Sequence, residues 1–126
     1  MKKIKIVLAP VYEGARFKGT ELSPEIIIKK INKKEYIKPV FKEQKNAYDK
    51  INNIKNYNTI LYKNKILSKI IEDIYIEGNF PFVIGGDHSI GFSTLSSFSN
   101  YYSNGAVIWI DAHSDINTPE TTLTGN

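Results

Sequence analysis

Short runs of consecutive apolar residues alternate along this chain with longer segments in which apolar residues recur at every third or fourth position. The runs that are typical of strands covered by helices on both faces lie at 3–9, 81–86 and 106–110. Residues 42–77 have a helical pattern that is interrupted at 52–58, and a helix-length segment at 87–102 separates the last two runs. This alternation predicts an α/β fold with three layers, α/β/α, around a parallel sheet.

Composition narrows the function classes. The chain has 41% hydrophobic and 24% charged residues, as an ordinary globular protein does. Its formal net charge is +4, but the lysines are scattered and Arg16 is the only arginine, so we expect no nucleic-acid partner. Cysteine is absent, which excludes thiol chemistry. Because no apolar run is long enough to span a bilayer and no cleavage pattern follows the N-terminus, we expect a cytoplasmic protein without a membrane partner.

Histidines and carboxylates follow directly after two of the predicted strands. The chain's 2 histidines are His88, in VIGGDHS, and His113, in VIWIDAHSD. Ligands of open α/β sheets bind beyond the carboxyl ends of strands, and in an extended segment Asp111, His113 and Asp115 share one side. Carboxylates and imidazoles without sulfur suit Mn²⁺ and, less distinctively, Fe²⁺, Co²⁺ or Zn²⁺. We therefore predict a metal site; because a carboxylate can bridge two ions, a binuclear centre that holds a hydroxide at neutral pH is possible here.

Each of these motifs also has a plainer interpretation. A single Asp-x-His after a strand is usually a polar loop, and a single histidine is usually structural, so the prediction depends on both motifs together. Asp87, His88 and Ser89 could also be read as a nucleophilic triad. Three consecutive side chains point apart, however, whereas the base of a triad must lie between the other two groups. We therefore expect Ser89 to cap the helix that follows.

The sequences GGDHSI and, one helix later, DAHSDIN resemble the paired signatures of the ureohydrolases, manganese enzymes that include arginase, agmatinase and formiminoglutamase. The segment EGARFKGTELSPEIII is similar to the family's opening loop and first helix, so the resemblance covers nearly the whole chain. The continuation DINTPETTLTGN is most similar to arginase, in which such a segment recognises the α-carboxylate of the substrate. The resemblance implies an arginase-like fold and the hydrolysis of L-arginine to L-ornithine and urea, with agmatinase or formiminoglutamase activity as the alternative.

The resemblance also implies a role for each matching residue. His88 and Asp115 would ligate one Mn²⁺ ion, His113 would ligate a second, and Asp111 would bridge both ions. Asp111, His113 and Asp115 are accordingly the expected catalytic residues, while Asp87 would orient the ligands without binding metal itself. The residues expected to hydrogen-bond the carboxylate of L-arginine are Asn117, Thr122, Thr124 and Asn126.

The family pattern includes groups that these 126 residues do not contain. They are a later strand-end motif with two aspartates, a histidine that shuttles a proton and a glutamate that binds the guanidinium group. We therefore expect residues 1–126 to be the N-terminal portion of a single arginase-like domain, with an incomplete sheet and no activity alone. The complete family member is expected to form a homo-oligomer. A non-catalytic metal-binding fragment is the alternative from another class.

Overall fold

A computed structural model describes residues 2–42 and 50–125 of the chain. In chain order the elements are β1 (Ile4–Ala9), α1 (Ser23–Lys30), β2 (Lys50–Ile51), β3 (Ile54–Lys55), α2 (Tyr57–Ile76), β4 (Phe80–Gly85) and α3 (Gly91–Tyr101). Short 3₁₀ turns, Thr20–Leu22 and His88–Ile90, precede α1 and α3. The first two predicted strands, at 3–9 and 81–86, are therefore confirmed within one residue at each end.

A parallel pair of strands forms the centre of the fold. β1 and β4 pair along their whole length, from Ile4 opposite Phe80 to Ala9 opposite Gly85. On the other edge of β1, Ile37 adds a single parallel bridge to Val7. Both backbone hydrogen bonds of that bridge, from the Leu8 N–H to the Ile37 carbonyl and from the Ile37 N–H to the Ile6 carbonyl, measure 2.8 Å. The carboxyl ends of β1 and β4 consequently lie side by side at one edge of the sheet.

Helices cover both faces of this pair, because alternate side chains of a strand point to opposite sides. On one face the buried cluster comprises Leu8, Ile28 of α1 and Ile84. On the other face the buried cluster comprises Val7, Ala9, Val11, Leu67 and Ile74, the last two from α2. The predicted three-layer α/β/α arrangement around a parallel sheet is confirmed.

The helical pattern predicted over 42–77 is confirmed only in its second part. Residues 43–49 lie outside the described part of the chain, and Lys50–Ile51 pairs with Ile54–Lys55 as a short antiparallel hairpin instead of a helix. Asn52 and Asn53 make the turn with φ values of 48° and 66°, a left-handed conformation that asparagine tolerates well. The interruption predicted at 52–58 therefore contains the turn and the second strand of a hairpin, and α2 begins at Tyr57.

The predicted strand at 106–110 is wrong. Residues 105–110 have no regular secondary structure, and the side chains of Ile108 and Ile110 are 87% and 93% exposed. A strand needs a neighbour that accepts and donates its backbone hydrogen bonds. In the described residues β4 pairs with β1 alone, and no strand adjoins 105–110. The sheet is thus incomplete, as expected. None of the helices in the described ranges is long and apolar enough to cross a membrane.

Candidate metal centre

The turn after β4 is held against β1 by backbone contacts. The Gly86 N–H donates to the Ala9 carbonyl at 2.9 Å, and the Asp87 N–H donates to the Val11 carbonyl at 2.8 Å. A Cβ atom at Gly86 would lie 2.0 Å from the Val11 carbonyl oxygen, so only glycine permits this approach. The close approach fixes the position at which His88 leaves the sheet.

Asp87 ties this turn to the loop after β1. Its side chain is buried, with Oδ2 accepting a 2.7 Å hydrogen bond from the Gly14 N–H and Oδ1 accepting a 2.8 Å bond from the Ser89 N–H. The Ser89 hydroxyl also donates to Oδ1, at 2.5 Å. The expectation that Ser89 caps the helix is wrong, because Asp87 is the cap of the 3₁₀ turn and Ile90, without a side-chain hydrogen bond, precedes α3. Asp87 therefore acts on the backbone that carries His88.

Three of the predicted ligands come together. The Nδ1 atom of His88 lies 3.1 Å from Asp115 Oδ2 and 3.5 Å from Asp111 Oδ2. One ligand atom from each of the three residues lies within 4.8 Å of the other two. All three side chains are partly open to solvent, so an ion could reach them from outside.

The fourth predicted ligand, His113, joins this group through Asp111. Its Nδ1 atom lies 3.4 Å from Asp111 Oδ1, which is the carboxylate oxygen that does not face His88. The His113 backbone N–H donates to the same Oδ1 atom at 2.8 Å. This hydrogen bond, supported by the charges of the two histidines, lowers the pKa of Asp111 below its ordinary value. Asp111 is thus kept ionised, as a metal ligand must be.

The ligands do not converge for the reason that the sequence suggested. Residues 111–113 form a bend, and Asp115 has a φ of 51°, in the left-handed region. The expectation that Asp111, His113 and Asp115 share one side of an extended segment is therefore wrong. The chain instead turns back after residue 110, and this turn places Asp115 next to His88.

The chemistry and spacing of these donors fit a divalent ion. Adjacent ligand atoms bonded at about 2.1 Å to an octahedral ion lie about 3 Å apart, close to the 3.1 and 3.5 Å between His88 Nδ1 and the two carboxylates. One imidazole nitrogen and two carboxylate oxygens form a hard-to-borderline set of the kind that Mn²⁺ and its neighbours accept. The residues that would hold such an ion are therefore His88, Asp111 and Asp115.

The residues predicted to bind a substrate carboxylate lie in the segment that follows. Asn117 Oδ1 accepts a 3.2 Å hydrogen bond from the Thr121 hydroxyl, and Thr122 Oγ1 accepts a 3.0 Å bond from the Gly125 N–H. Thr124 is exposed in this segment, and Asn126 lies outside the described residues. The segment rests on the hairpin through a 2.8 Å bond from the Lys55 N–H to the Gly125 carbonyl.

Trp109 is a further residue of this site, and it was not among the predicted site residues. Its indole stacks on the imidazole of His88, with 4.9 Å between ring centroids, and its Nε1–H donates to Asp115 Oδ2 at 3.2 Å. No sequence pattern signals these contacts, because they depend on the bend at 111–113 and not on the spacing of side chains along an extended chain.

Comparisons with known proteins place these features in a family. The family model described as Arginase family matches residues 2–126. The arginase of Bacillus subtilis (strain 168) is 34% identical over 99% of this chain and 45% of its own length. For the arginase of Bacillus caldovelox the identity is 31%, over 100% of this chain and 46% of the relative.

Solved structures of arginases are also similar to this chain. The crystal structure of arginase from Bacillus subtilis subsp. subtilis str. 168 superposes with a TM-score of 0.78 at 32% identity, covering 99% of this chain and 45% of that one. The arginase structure from Bacillus cereus gives a TM-score of 0.77 at 29% identity, over 100% and 44%. The chain therefore spans less than half the length of the relatives that it matches. Over its described elements it has the arginase fold, and it belongs to the arginase family.

Proposed function

We propose that the protein takes part in the manganese-dependent hydrolysis of L-arginine to L-ornithine and urea. One observation carries this proposal: Asp111 directs Oδ2 towards His88 and Oδ1 towards His113. A carboxylate with a separate imidazole at each oxygen is suited to bridge two ions, each of which is also bound by one histidine. Residues 1–126 would then supply the N-terminal portion of a single arginase-like domain.

Each ligand has a defined part in the proposed site. His88 and Asp115 would hold one Mn²⁺ ion, His113 would hold the second, and Asp111 would join them. When bound, the two ions would supply Lewis acidity and activate water for attack on the guanidinium carbon. The backbone N–H of His113 donates to Asp111 and favours its ionised form, and the residues of this chain hold the donor atoms close to the required spacing.

The choice of L-arginine as substrate depends on the segment after the ligands. Agmatine has no α-carboxylate, whereas Asn117, Thr122 and Thr124 offer amide and hydroxyl groups that can donate to one. The hydrogen bonds of Asn117 to Thr121 and of Thr122 to Gly125 hold two of these groups in place. The relatives named above as arginases are consistent with this choice. Another ureohydrolase, such as agmatinase or formiminoglutamase, is the alternative substrate class.

A second candidate function is non-catalytic metal binding. It is favoured by the small number of ligands, since one imidazole nitrogen and two carboxylate oxygens leave an octahedral ion with open positions. Under the main proposal the rest of an arginase-like domain fills these positions, because the relatives are more than twice as long as this chain. Assembly into a homo-oligomer and a cytoplasmic location stay predictions.

The substrate is tested by urea release. The complete arginase-like domain, with residues 1–126 as its N-terminal portion, is loaded with Mn²⁺ and incubated with L-arginine or with agmatine, and urea and the product amine are quantified. We expect urea from L-arginine only, because agmatine lacks the group that residues 117–125 would bind. Urea from agmatine alone would contradict the substrate assignment. If the protein binds Mn²⁺ and releases urea from neither compound, non-catalytic metal binding is the better function.

The bridging role is tested by metal stoichiometry. Asp111→Asn keeps the size of the side chain but removes the charge that two ions would share. We expect this variant to lose at least one of the bound Mn²⁺ ions, measured by elemental analysis after gel filtration. The matched control is Asp73→Asn, an exposed carboxylate of α2 that pairs with Lys69 at 2.6 Å. Equal Mn²⁺ content in the two variants would exclude Asp111 as a bridging ligand.

A further inference from the structure

One aromatic side chain contacts two of the candidate ligands at once. The indole of Trp109 stacks on the imidazole of His88, with ring centroids 4.9 Å apart and the ring planes inclined by 13°. Its Nε1–H donates a 3.2 Å hydrogen bond to Asp115 Oδ2. That oxygen is the same atom that faces His88 Nδ1 at 3.1 Å. Trp109, His88 and Asp115 therefore form a closed triangle of contacts.

The first residue of α3 makes room for the indole. A Cβ atom at Gly91 would lie 3.3 Å from the Trp109 ring, closer than ordinary van der Waals contact. This end of α3 is in turn anchored to α2, because the Ser93 N–H donates a 3.0 Å hydrogen bond to the buried Asn64 side chain. The indole thus lies between His88 and a helix end that the core holds in place.

We propose that Trp109 is a positioning residue of the metal centre. The stacked indole limits rotation of the His88 ring, so that Nδ1 stays directed at the two carboxylates. The hydrogen bond to a charged oxygen, which is stronger than a bond between neutral groups, selects the side-chain orientation of Asp115. Partners that orient metal ligands typically change metal affinity by about 10–100-fold when they are removed. The inference rests on the metal-binding part of the proposed function.

The contact with His88 is tested first in protein without added metal. Because the chain has 1 tryptophan, its fluorescence reports on Trp109 alone. We expect His88→Ala to shift the emission to the red and to increase quenching by acrylamide, since one face of the indole becomes open to water. His113→Ala is the matched control, because it also removes an imidazole, but one that lies against Asp111. We expect its emission to match that of the wild type. Identical spectra for His88→Ala and the wild type would overturn the proposal.

The effect on metal binding is tested with Mn²⁺ alone. Free Mn²⁺ is counted from its electron paramagnetic resonance signal in titrations of the wild type, Trp109→Phe and Trp109→Ala. Phenylalanine keeps an aromatic face for His88 but has no N–H group, whereas alanine has neither. We expect an intermediate loss of affinity for Trp109→Phe and a loss of about 10–100-fold for Trp109→Ala. A Trp109→Ala variant that binds Mn²⁺ as tightly as the wild type would overturn the positioning role.

Mn²⁺ binding by His88→Ala and by Trp109→Ala distinguishes a failure of the positioning role from a failure of the metal site on which it rests. If His88→Ala binds Mn²⁺ as the wild type does, the metal site itself is wrong and the positioning role falls with it. If His88→Ala loses Mn²⁺ while Trp109→Ala keeps it, only the positioning role is wrong. Far-UV circular dichroism verifies that each variant is folded. Should Trp109→Ala fail to fold, Trp109→Leu replaces it, because leucine fills space but has neither an aromatic face nor an N–H group, and wild-type affinity in that variant would overturn the positioning role.

Discussion

The two segments that carry the candidate metal ligands are built in opposite ways. His88 follows β4, whose Ile84 is buried between the sheet and α1. Asp111 and Asp115 follow residues 105–110, where Ile110 is 93% exposed. In both segments an apolar run is followed by an aspartate and a histidine. Within the described residues, only the first run pairs with a neighbouring strand.

This difference shows how each ligand is positioned. His88 is placed by long-range contacts, since the turn that carries it bonds to Val11 and Gly14 in the loop after β1. Asp111 and Asp115 are placed by contacts within their own segment and by Trp109 and His88. One side of the site therefore depends on the folded core, whereas the other depends on a small set of polar contacts at the surface.

The largest expected effect tests the core on which the His88 side depends. Leu67 of α2 is 0% exposed and packs in the cluster that includes Val7 and Ala9. Leu67→Ala removes buried methyl groups and leaves a cavity, so we expect a loss of about 2–5 kcal/mol in the free energy of unfolding. The measurement is urea denaturation followed by far-UV circular dichroism.

Leu61 is the matched control for this change, because it lies in the same helix and is 39% exposed. We expect Leu61→Ala to cost less than about 1 kcal/mol, since less apolar surface is lost from the interior. Equal losses for Leu61→Ala and Leu67→Ala would contradict the packing of α2 against β1, and with it the conclusion that the His88 side depends on the folded core.

The next effect concerns the link between the core and the site. Asp87→Ala removes the acceptor for the Gly14 N–H and for both donors of Ser89. Leaving partly buried donors without an acceptor costs about 1–3 kcal/mol, so we expect a loss of stability in that range. The measurement is again urea denaturation, with Asp73→Ala, an exposed carboxylate, as the control. If Asp87→Ala is as stable as Asp73→Ala, the turn is not held by this side chain.

Parts of this molecule could be predicted from the sequence because they depend on local pattern. β1 and β4 are continuous apolar runs, and burial on both faces is what such runs indicate. The position of His88 at the end of β4 followed directly. The bond between Gly14 and Asp87 could not be predicted in the same way, because it joins residues that are 73 positions apart.

The segment at 106–110 shows why the third strand and the extended ligand segment after it were predicted wrongly. An apolar run indicates that its residues favour burial. A strand forms, however, only where another strand supplies partners for its backbone hydrogen bonds. After this run the chain bends at 111–113, and Asp115 adopts a left-handed conformation, so the ligands do not follow an extended chain. The contacts of Trp109 follow from this bend, so no pattern of apolar residues could have indicated them. Which residues are ligands was a question of chemistry, and that prediction awaits the metal-binding measurements.

The smallest expected effect tests whether the two segments differ in burial. Ile110 and Ile84 each lie near the end of an apolar run, immediately before the polar turn, but they are 93% and 6% exposed. We expect Ile110→Thr to change the free energy of unfolding by less than about 0.5 kcal/mol, as surface substitutions usually do. Ile84→Thr should cost about 2–4 kcal/mol, because it removes buried apolar volume and buries a hydroxyl group. If urea denaturation gives the same loss in the free energy of unfolding for both variants, Ile110 is buried in solution. Residues 106–110 would then pair with a strand of a second copy of the chain or of another polypeptide.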